Sequence, residues 1–109
     1  MDAVRLDKSR QFEVWLNAAE KCIDYIVEAT KTWDQTPAYI RHGRLTYFNE
    51  LPKYLRSARF AEQQGYFTKR QIRRLRNLER LAEHALGTLK ILRERDEAML
   101  RWERGDGHE

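Results

Sequence analysis

Apolar residues recur at alternating spacings of three and four in the first third of the chain. They are Phe12, Trp15, Ala19, Cys22, Ile26, Ala29 and Trp33, and Leu16 and Ile23 widen this seam. Because an α-helix returns to the same face after three to four residues, the spacing predicts an amphipathic helix from about Ser9 to Trp33. Cys22 occupies a seam position, which is typical of a small buried hydrophobe.

The next segment begins and ends with local signals. Thr36 is a good N-cap, and Pro37 suits the first helical position because the N–H that proline lacks has no helical partner there. The predicted helix runs to about Gln64, with Gly65 as its C-cap. Its core stripe comprises Leu51, Tyr54, Leu55, Ala58 and Ala61.

The third helix has the best-defined start. Thr68 and Gln71 have the spacing of a capping box, and Phe67 with Ile72 has that of the matching hydrophobic staple. From there a seven-residue apolar repeat continues, interrupted at Asp96. The repeat comprises Leu75, Leu78, Ala82, Ala85, Leu89, Leu92 and Met99.

Two interruptions leave the number of helices open. Pro52 either kinks the second helix or lies in the first turn of a new helix capped by Asn49. Gly87 is the weak point of the third helix, which either continues as one rod to Trp102 or bends there.

Three apolar stripes joined by short connections predict an all-α fold, an antiparallel helical bundle of three long helices that is kinked or split into four as the alternative. A chain of 109 residues is expected to form one domain. We assign residues 1–103 to this helical-bundle domain. The polar end with two glycines, residues 104–109, is expected to be a flexible tail.

Composition indicates which kind of partner and which cellular location to expect. The net charge is +4 and 35% of the residues are charged, which favours an acidic partner such as nucleic acid. Cys22 is the only cysteine, so no intrachain disulfide is possible. Neither a signal peptide nor a membrane span is visible, and we expect a cytoplasmic protein that does not bind a membrane.

The positive charge is concentrated in two segments. At about 100° per residue, one side of the third helix, opposite the apolar seam, carries Lys69, Arg73, Arg76, Arg80 and His84. The first set of candidate nucleic-acid-binding residues is Lys69, Arg70, Arg73, Arg74, Arg76 and Arg80, and the second is Arg41, Arg44, Lys53, Arg56 and Arg59. The two sets are expected to join into one surface that binds a nucleic-acid backbone, since arginine grips phosphate well and no base-reading motif is visible. The alternative is a solvated face, partly neutralised by Glu79 and Glu83.

Catalytic chemistry is poorly supported. No Gly-rich phosphate loop, nucleophile elbow or metalloprotease motif occurs, and we expect neither a metal nor another cofactor. The histidines, His42, His84 and His108, lie in different segments. We therefore expect a non-enzymatic protein. A nuclease using Arg80 and His84 is a third and weaker hypothesis.

Several stretches resemble the small four-helix-bundle family that includes the accessory variability protein of diversity-generating retroelements. They are Val14-Trp-Leu-Asn-Ala-Ala, Ile26-Val-Glu-Ala-Thr-Lys-Thr-Trp33, Tyr39-Ile-Arg-His-Gly43-Arg-Leu, Ala61-Glu, Leu75-Arg-Asn-Leu-Glu-Arg-Leu and Leu89-Lys-Ile-Leu92. The resemblance implies a basic, ring-like homo-oligomer that binds a reverse transcriptase and its RNA. A second resemblance, through Thr68-Lys-Arg-Gln-Ile-Arg, is to the helical small subunit of CRISPR effector complexes.

The leading hypothesis is a non-enzymatic accessory subunit that self-associates and binds nucleic acid, RNA in the first instance, within a ribonucleoprotein that includes a reverse transcriptase. The alternative is a protein-interaction module, such as a phage-encoded or mobile-element inhibitor, that uses the basic face to occupy a groove on another protein.

Overall fold

The computed structural model describes residues 3–41 and 48–103, and the side chains of 7–41 and 48–102. Its helices are α1, Ala3–Lys31, α2, Leu51–Gln63, and α3, Lys69–Glu103. A 3₁₀ turn spans Trp33–Gln35, and residues 38–41 are helical. No strand occurs in the described ranges, and the prediction of an all-α helical bundle is confirmed.

Contacts between the helices give their directions. Going up α1, Phe12 meets Phe60 and Tyr25 meets Phe48, with ring centroids 6.1 and 5.8 Å apart, so α2 and the residues before it run antiparallel to α1. By contrast Ser9 meets Gln71 and the later Trp33 meets Asp96, so α1 and α3 run parallel. The result is an elongated up-down-up bundle, 68 × 22 × 17 Å.

The core follows the predicted stripes, with one difference at the end of α3. Its buried apolar residues include Leu16, Ala19, Cys22, Ile23, Ile26, Ala29, Leu51, Ala58, Ala61, Leu75, Leu78, Ala82, Ala85 and Leu89. The seam was predicted to continue to Met99, but the Met99 side chain is exposed and the last seam residue packed on the core is Leu92. The partner segment has ended by then, since the chain turns away at Trp33–Gln35.

The first helix differs from its predicted bounds. It begins at Ala3 rather than Ser9 and ends at Lys31, so Trp33 lies in the 3₁₀ turn. The Thr36 hydroxyl donates to the Thr32 carbonyl at 2.8 Å. The helical residues after it begin one position beyond Pro37, whose carbonyl accepts the N–H of Arg41.

Pro52 lies in the first turn of α2, where its missing N–H costs no helical hydrogen bond. Residues 49 and 50 form a turn before it, so a new helix begins here. The N-cap position is Glu50 and not Asn49, and the Glu50 side chain makes no capping hydrogen bond.

Gly65 terminates α2 as predicted. Its φ is +75°, in the left-handed region that favours glycine. The Gly65 N–H donates to the Glu62 carbonyl and the Tyr66 N–H donates to the Ala61 carbonyl, each at 3.0 Å. This pair of bonds is a Schellman motif, which turns the chain sharply toward α3.

The capping box at the start of α3 forms as predicted, and it also binds α1. The Thr68 N–H donates to Gln71 Oε1 at 2.8 Å, and the Gln71 N–H donates to Thr68 Oγ1 at 3.2 Å. Gln71 is buried, and its Oε1 also accepts the Ser9 hydroxyl at 2.8 Å. One side chain therefore both starts α3 and ties it to the first part of α1.

A second polar cluster ties the segment that follows α1 to the later part of α3. Trp33 Nε1 donates to Asp96 Oδ2 at 3.1 Å, and the same oxygen lies 3.0 Å from an Arg41 guanidinium nitrogen. Arg41 also donates to the Trp33 and Thr36 carbonyls, and its guanidinium carbon lies 5.3 Å from the centroid of the Trp33 ring. Asp96 is the residue that interrupts the seam. Its carboxylate joins α3 to the 3₁₀ turn and to the helical residues 38–41.

Helix α3 is continuous through Gly87. A Cβ built at this residue meets no atom within 4 Å. We therefore expect Gly87→Ala to raise the free energy of unfolding by about 0.5–1 kcal/mol, because alanine loses less backbone entropy on forming a helix. Urea denaturation followed by circular dichroism measures the change. Gly65→Ala is the matched comparison, and it should destabilise by about 1–2 kcal/mol because its φ is positive. Equal effects of the two substitutions would contradict this expectation.

Removing the Asp96 carboxylate should destabilise the far end of the bundle. Asp96→Ala leaves the Trp33 N–H and the Arg41 guanidinium, both largely buried, without their shared acceptor. We expect a loss of about 2–3 kcal/mol in the free energy of unfolding, measured by urea denaturation. The control is Glu97→Ala, next in sequence and exposed, which should change it by less than about 0.5 kcal/mol. A similar loss for both variants would refute a special role for Asp96.

Candidate nucleic-acid interface

The predicted basic residues separate into groups with different surroundings. Lys69, Arg70 and Arg73 are exposed in the first turns of α3, and no carboxylate pairs with them within the described part of the chain. The first turn of α3 contains no acidic residue. Because the N-terminal end of a helix carries partial positive charge, cations there cost stability unless an anion is present. We call these three residues the basic patch.

Arg80 lies on the same outward face of α3 as the basic patch, about two helical turns beyond Arg73. Its guanidinium donates to Asn77 Oδ1 at 2.7 Å, a neutral partner that leaves the charge uncompensated. At 100° per residue Arg80 falls within about 20° of Arg73 and of Lys69 around the helix axis. His84, one turn on, is also exposed.

Arg76 belongs to a four-residue ion-pair network that joins α2 to α3. Its guanidinium contacts Glu62 on α2 and Glu79 on α3, the latter at 2.9 Å. Arg59 on α2 contacts the same two carboxylates, at 2.7 Å from Glu79 and 3.8 Å from Glu62. The hydrogen bond to Glu62 raises the pKa of Arg76, and the bond to Glu79 adds to it. The network brings the two predicted basic sets together, although its own two arginines are compensated.

Arg74 faces α1 instead. It donates to Asn17 at 2.9 Å and to Glu20 at 2.7 Å, and Glu13 lies 3.8 Å away. A half-buried arginine with three partners on a neighbouring helix stabilises the packing of α1 on α3. Around the axis of α3, Arg74 lies about 160° from Arg76.

Arg41 lies in the cluster with Trp33 and Asp96, at the other end of α3 from the basic patch. Its guanidinium is largely buried and engaged by a carboxylate and two carbonyls. Arg44 lies outside the described residues, as do His42, His108 and the predicted tail 104–109.

Lys53 and Arg56 line a cleft between α1 and α2. Lys53 contacts Glu50 at 3.2 Å, an exposed pair one turn apart that is worth little in water. Arg56 is exposed, and no ion pair to it occurs within the described residues. The cleft also contains Phe12 and Phe60. Phe60 was not among the predicted site residues, although its place off the α2 core stripe was a signal of exposure.

Beyond His84 the outward face of α3 combines exposed apolar side chains with Arg95, whose guanidinium pairs with Asp34. Ile91 and Trp102, 68% and 60% exposed, lie within about 20° of the Arg73 direction around the axis. Met99, 56% exposed, lies beside them. We call Ile91, Met99 and Trp102 the apolar end. Large apolar side chains grouped on a surface mark sites of protein contact more often than scattered ones do.

Other chemistry is limited. Burial raises the pKa of the Cys22 thiol to about 11, and the carboxylate of Glu50 adds to the shift. Cys22 is therefore a protonated core residue at neutral pH. Among the described residues no group of three or more His, Cys, Asp or Glu side chains is placed to hold a metal ion. The described helices also include none that is both long and apolar enough to cross a membrane.

Comparison of the chain with protein-family models, with curated proteins and with solved structures gave no match. The resemblances proposed from the sequence therefore stay predictions.

Proposed function

We propose that this protein is a non-enzymatic accessory subunit that binds the backbone of nucleic acid through one side of α2 and α3 and self-associates through the end of α3. The observation that carries the proposal is the basic patch. Lys69, Arg70 and Arg73 are crowded at the positive end of a helix, and no acid in its first turn compensates them. A polyanion would remove that electrostatic cost by placing phosphates between them.

The ion-pair network extends the surface beyond α3. Since Arg59 and Arg76 share Glu62 and Glu79, α2 is held against α3 with Arg56 one turn before Arg59 on the same helix. Of the described residues predicted to bind nucleic acid, the exposed cations without a carboxylate partner are then Arg56, Lys69, Arg70, Arg73 and Arg80. About five phosphate contacts correspond to a slope of about −4.5 in a plot of log affinity against log salt on duplex DNA.

The apolar end supplies the second part of the proposal. Ile91, Met99 and Trp102 are exposed in the last turns of α3. The last seam residue of this helix that packs on the core is Leu92. A second copy of the chain would bury them and would repeat the basic patch along the assembly. Repetition raises affinity for a long polyanion through multivalency. RNA beside a reverse transcriptase is the setting that the sequence resemblance implies.

Neutralising the basic patch should weaken nucleic-acid binding. We expect the triple variant Lys69→Gln, Arg70→Gln, Arg73→Gln to lose about tenfold or more in affinity for RNA and duplex DNA. The salt slope should become shallower by about 2.7 on duplex DNA, because three phosphate contacts are removed. Fluorescence anisotropy across a salt series measures both quantities.

The matched control removes three exposed lysines outside that face, Lys21→Gln, Lys31→Gln and Lys90→Gln, and lowers the net charge equally. It should keep most of the salt slope. The basic-patch variant should also unfold at the same or higher urea concentration than the wild type, since cations leave the positive end of α3. Identical slopes for the two triple variants would exclude a specific surface. No binding by the wild type at low salt would refute the proposal and favour the protein-interaction module.

Breaking the apolar end should abolish self-association. Light scattering on a sizing column should give the wild type a mass that is a multiple of 13.2 kDa. The double variant Met99→Glu, Trp102→Glu should elute as a monomer, because charge would have to be buried in the contact. Val14→Glu, at another exposed apolar residue, 54% exposed, is the control and should leave the mass unchanged. A monomeric wild type would remove self-association from the proposal.

A further inference from the structure

The cleft between α1 and α2 combines aromatic walls with a cationic rim. It has a volume of about 380 Å³, within the range of small-ligand sites. Phe12 and Trp15 contribute from α1, and Lys53, Arg56, Ser57 and Phe60 contribute from α2. The four α2 residues follow the spacing i, i+3, i+4 and i+7, so they form a single stripe on one face of that helix.

The aromatic rings are held in place by their neighbours. The Phe12 ring lies 5.5 Å from the Tyr66 ring and 6.1 Å from the Phe60 ring, measured between centroids. The Trp15 ring lies 6.0 Å from the Tyr54 ring, inclined by 30°. Phe60 is nevertheless 50% exposed. A large ring fixed at a cleft and half open to water presents an apolar face that a flat ligand can cover.

The charges on the cleft indicate what kind of ligand it is. Lys53 and Arg56 are exposed and one helical turn apart, and none of the six lining residues is acidic. Single-stranded nucleic acid is bound by this combination in general, with bases stacked on aromatic rings and phosphates held by cations. Duplex nucleic acid cannot use the rings, since its base faces are already stacked.

We propose that this cleft takes an unpaired nucleotide of a single-stranded nucleic acid, with the base on Phe60 and Trp15 and the flanking phosphates on Lys53 and Arg56. The inference rests on the proposed function, because Arg56 precedes Arg59 by one turn and Arg59 shares Glu79 with Arg76 on α3. In this proposal a strand leaves the cleft along Arg56 and Arg59 and reaches the basic patch past Arg76, which lies one helical turn beyond Arg73. The protein prefers single strands, loops or ends over duplex of the same charge.

Variants at Phe60 distinguish binding by base stacking from binding by charge alone. Phe60→Ala should lower affinity for oligouridine by about 5- to 150-fold, the range for loss of one stacked base. It should change affinity for duplex RNA of equal length by less than about twofold. Phe60→Leu keeps apolar volume and should lose most of the single-strand affinity, whereas Phe60→Trp should keep it. Anisotropy at one fixed salt concentration measures all four proteins, and circular dichroism verifies their folding.

Tryptophan fluorescence gives a second measurement that does not depend on Phe60. Oligouridine should quench the wild type through Trp15, and the quenching should be absent in Trp15→Phe. The cleft proposal would be overturned if the protein bound single strand and duplex with equal affinity and the Phe60 variants changed both affinities alike or neither. That result would leave the basic-patch proposal in place. A wild type that binds neither nucleic acid would overturn both. The cleft would be assigned to a protein partner instead if Phe60→Ala abolished binding of a labelled peptide of alternating Glu and Phe but left binding of oligouridine unchanged.

Discussion

The parallel arrangement of α1 and α3 depends on two polar junctions about 36 Å apart, one at each end of the shared seam. Ser9 and Gln71 are separated by 62 residues in sequence and Trp33 and Asp96 by 63, so the register hardly changes between them. Apolar contacts have no direction, and a seam with a seven-residue repeat would also pack after a slide of one repeat. Such a slide would separate Gln71 from Ser9 and Asp96 from Trp33. These four residues are largely inaccessible to solvent, so water would not replace the lost hydrogen bonds. The polar junctions therefore select one register from several that the core alone would accept.

Charge divides the remaining surface into compensated and uncompensated parts. Where α3 packs against a neighbour, each arginine has acidic partners, as Arg74 has on α1 and Arg76 has on α2. On the outward face Arg73 and Arg80 lack such partners within the described residues, whereas Arg95, further along, pairs with Asp34. Placing acids beside helix packing contacts stabilises the bundle. Leaving the first turns of that face basic lowers the stability of α3, because the cations lie at the positive end of the helix.

Local signals predicted much of this fold, because their partners are near in sequence. Thr68 and Gln71 are three residues apart, and Gly65 follows the helix that it ends. Pro52 could not be assigned, because both outcomes satisfy the same local rule. The partners of Asp96 and Arg74 could not be predicted either, since they are more than fifty residues away or depend on which helix lies alongside. The sequence could place Lys69 and Arg73 opposite the apolar seam, but only packing showed that Arg41 is held at the far end of α3 and that Arg76 is paired with carboxylates.

Because Cys22 lies in the core, the reactivity of its thiol depends on how often the bundle opens. The thiol is fully buried in the later half of α1, and its pKa of about 11 leaves almost none of it as thiolate at neutral pH. A thiol reagent can therefore react only when the helices separate far enough to admit water. Because Cys22 is the only cysteine, the alkylation rate reports one opening event, and its dependence on denaturant distinguishes local separation of α1 from unfolding of the whole chain.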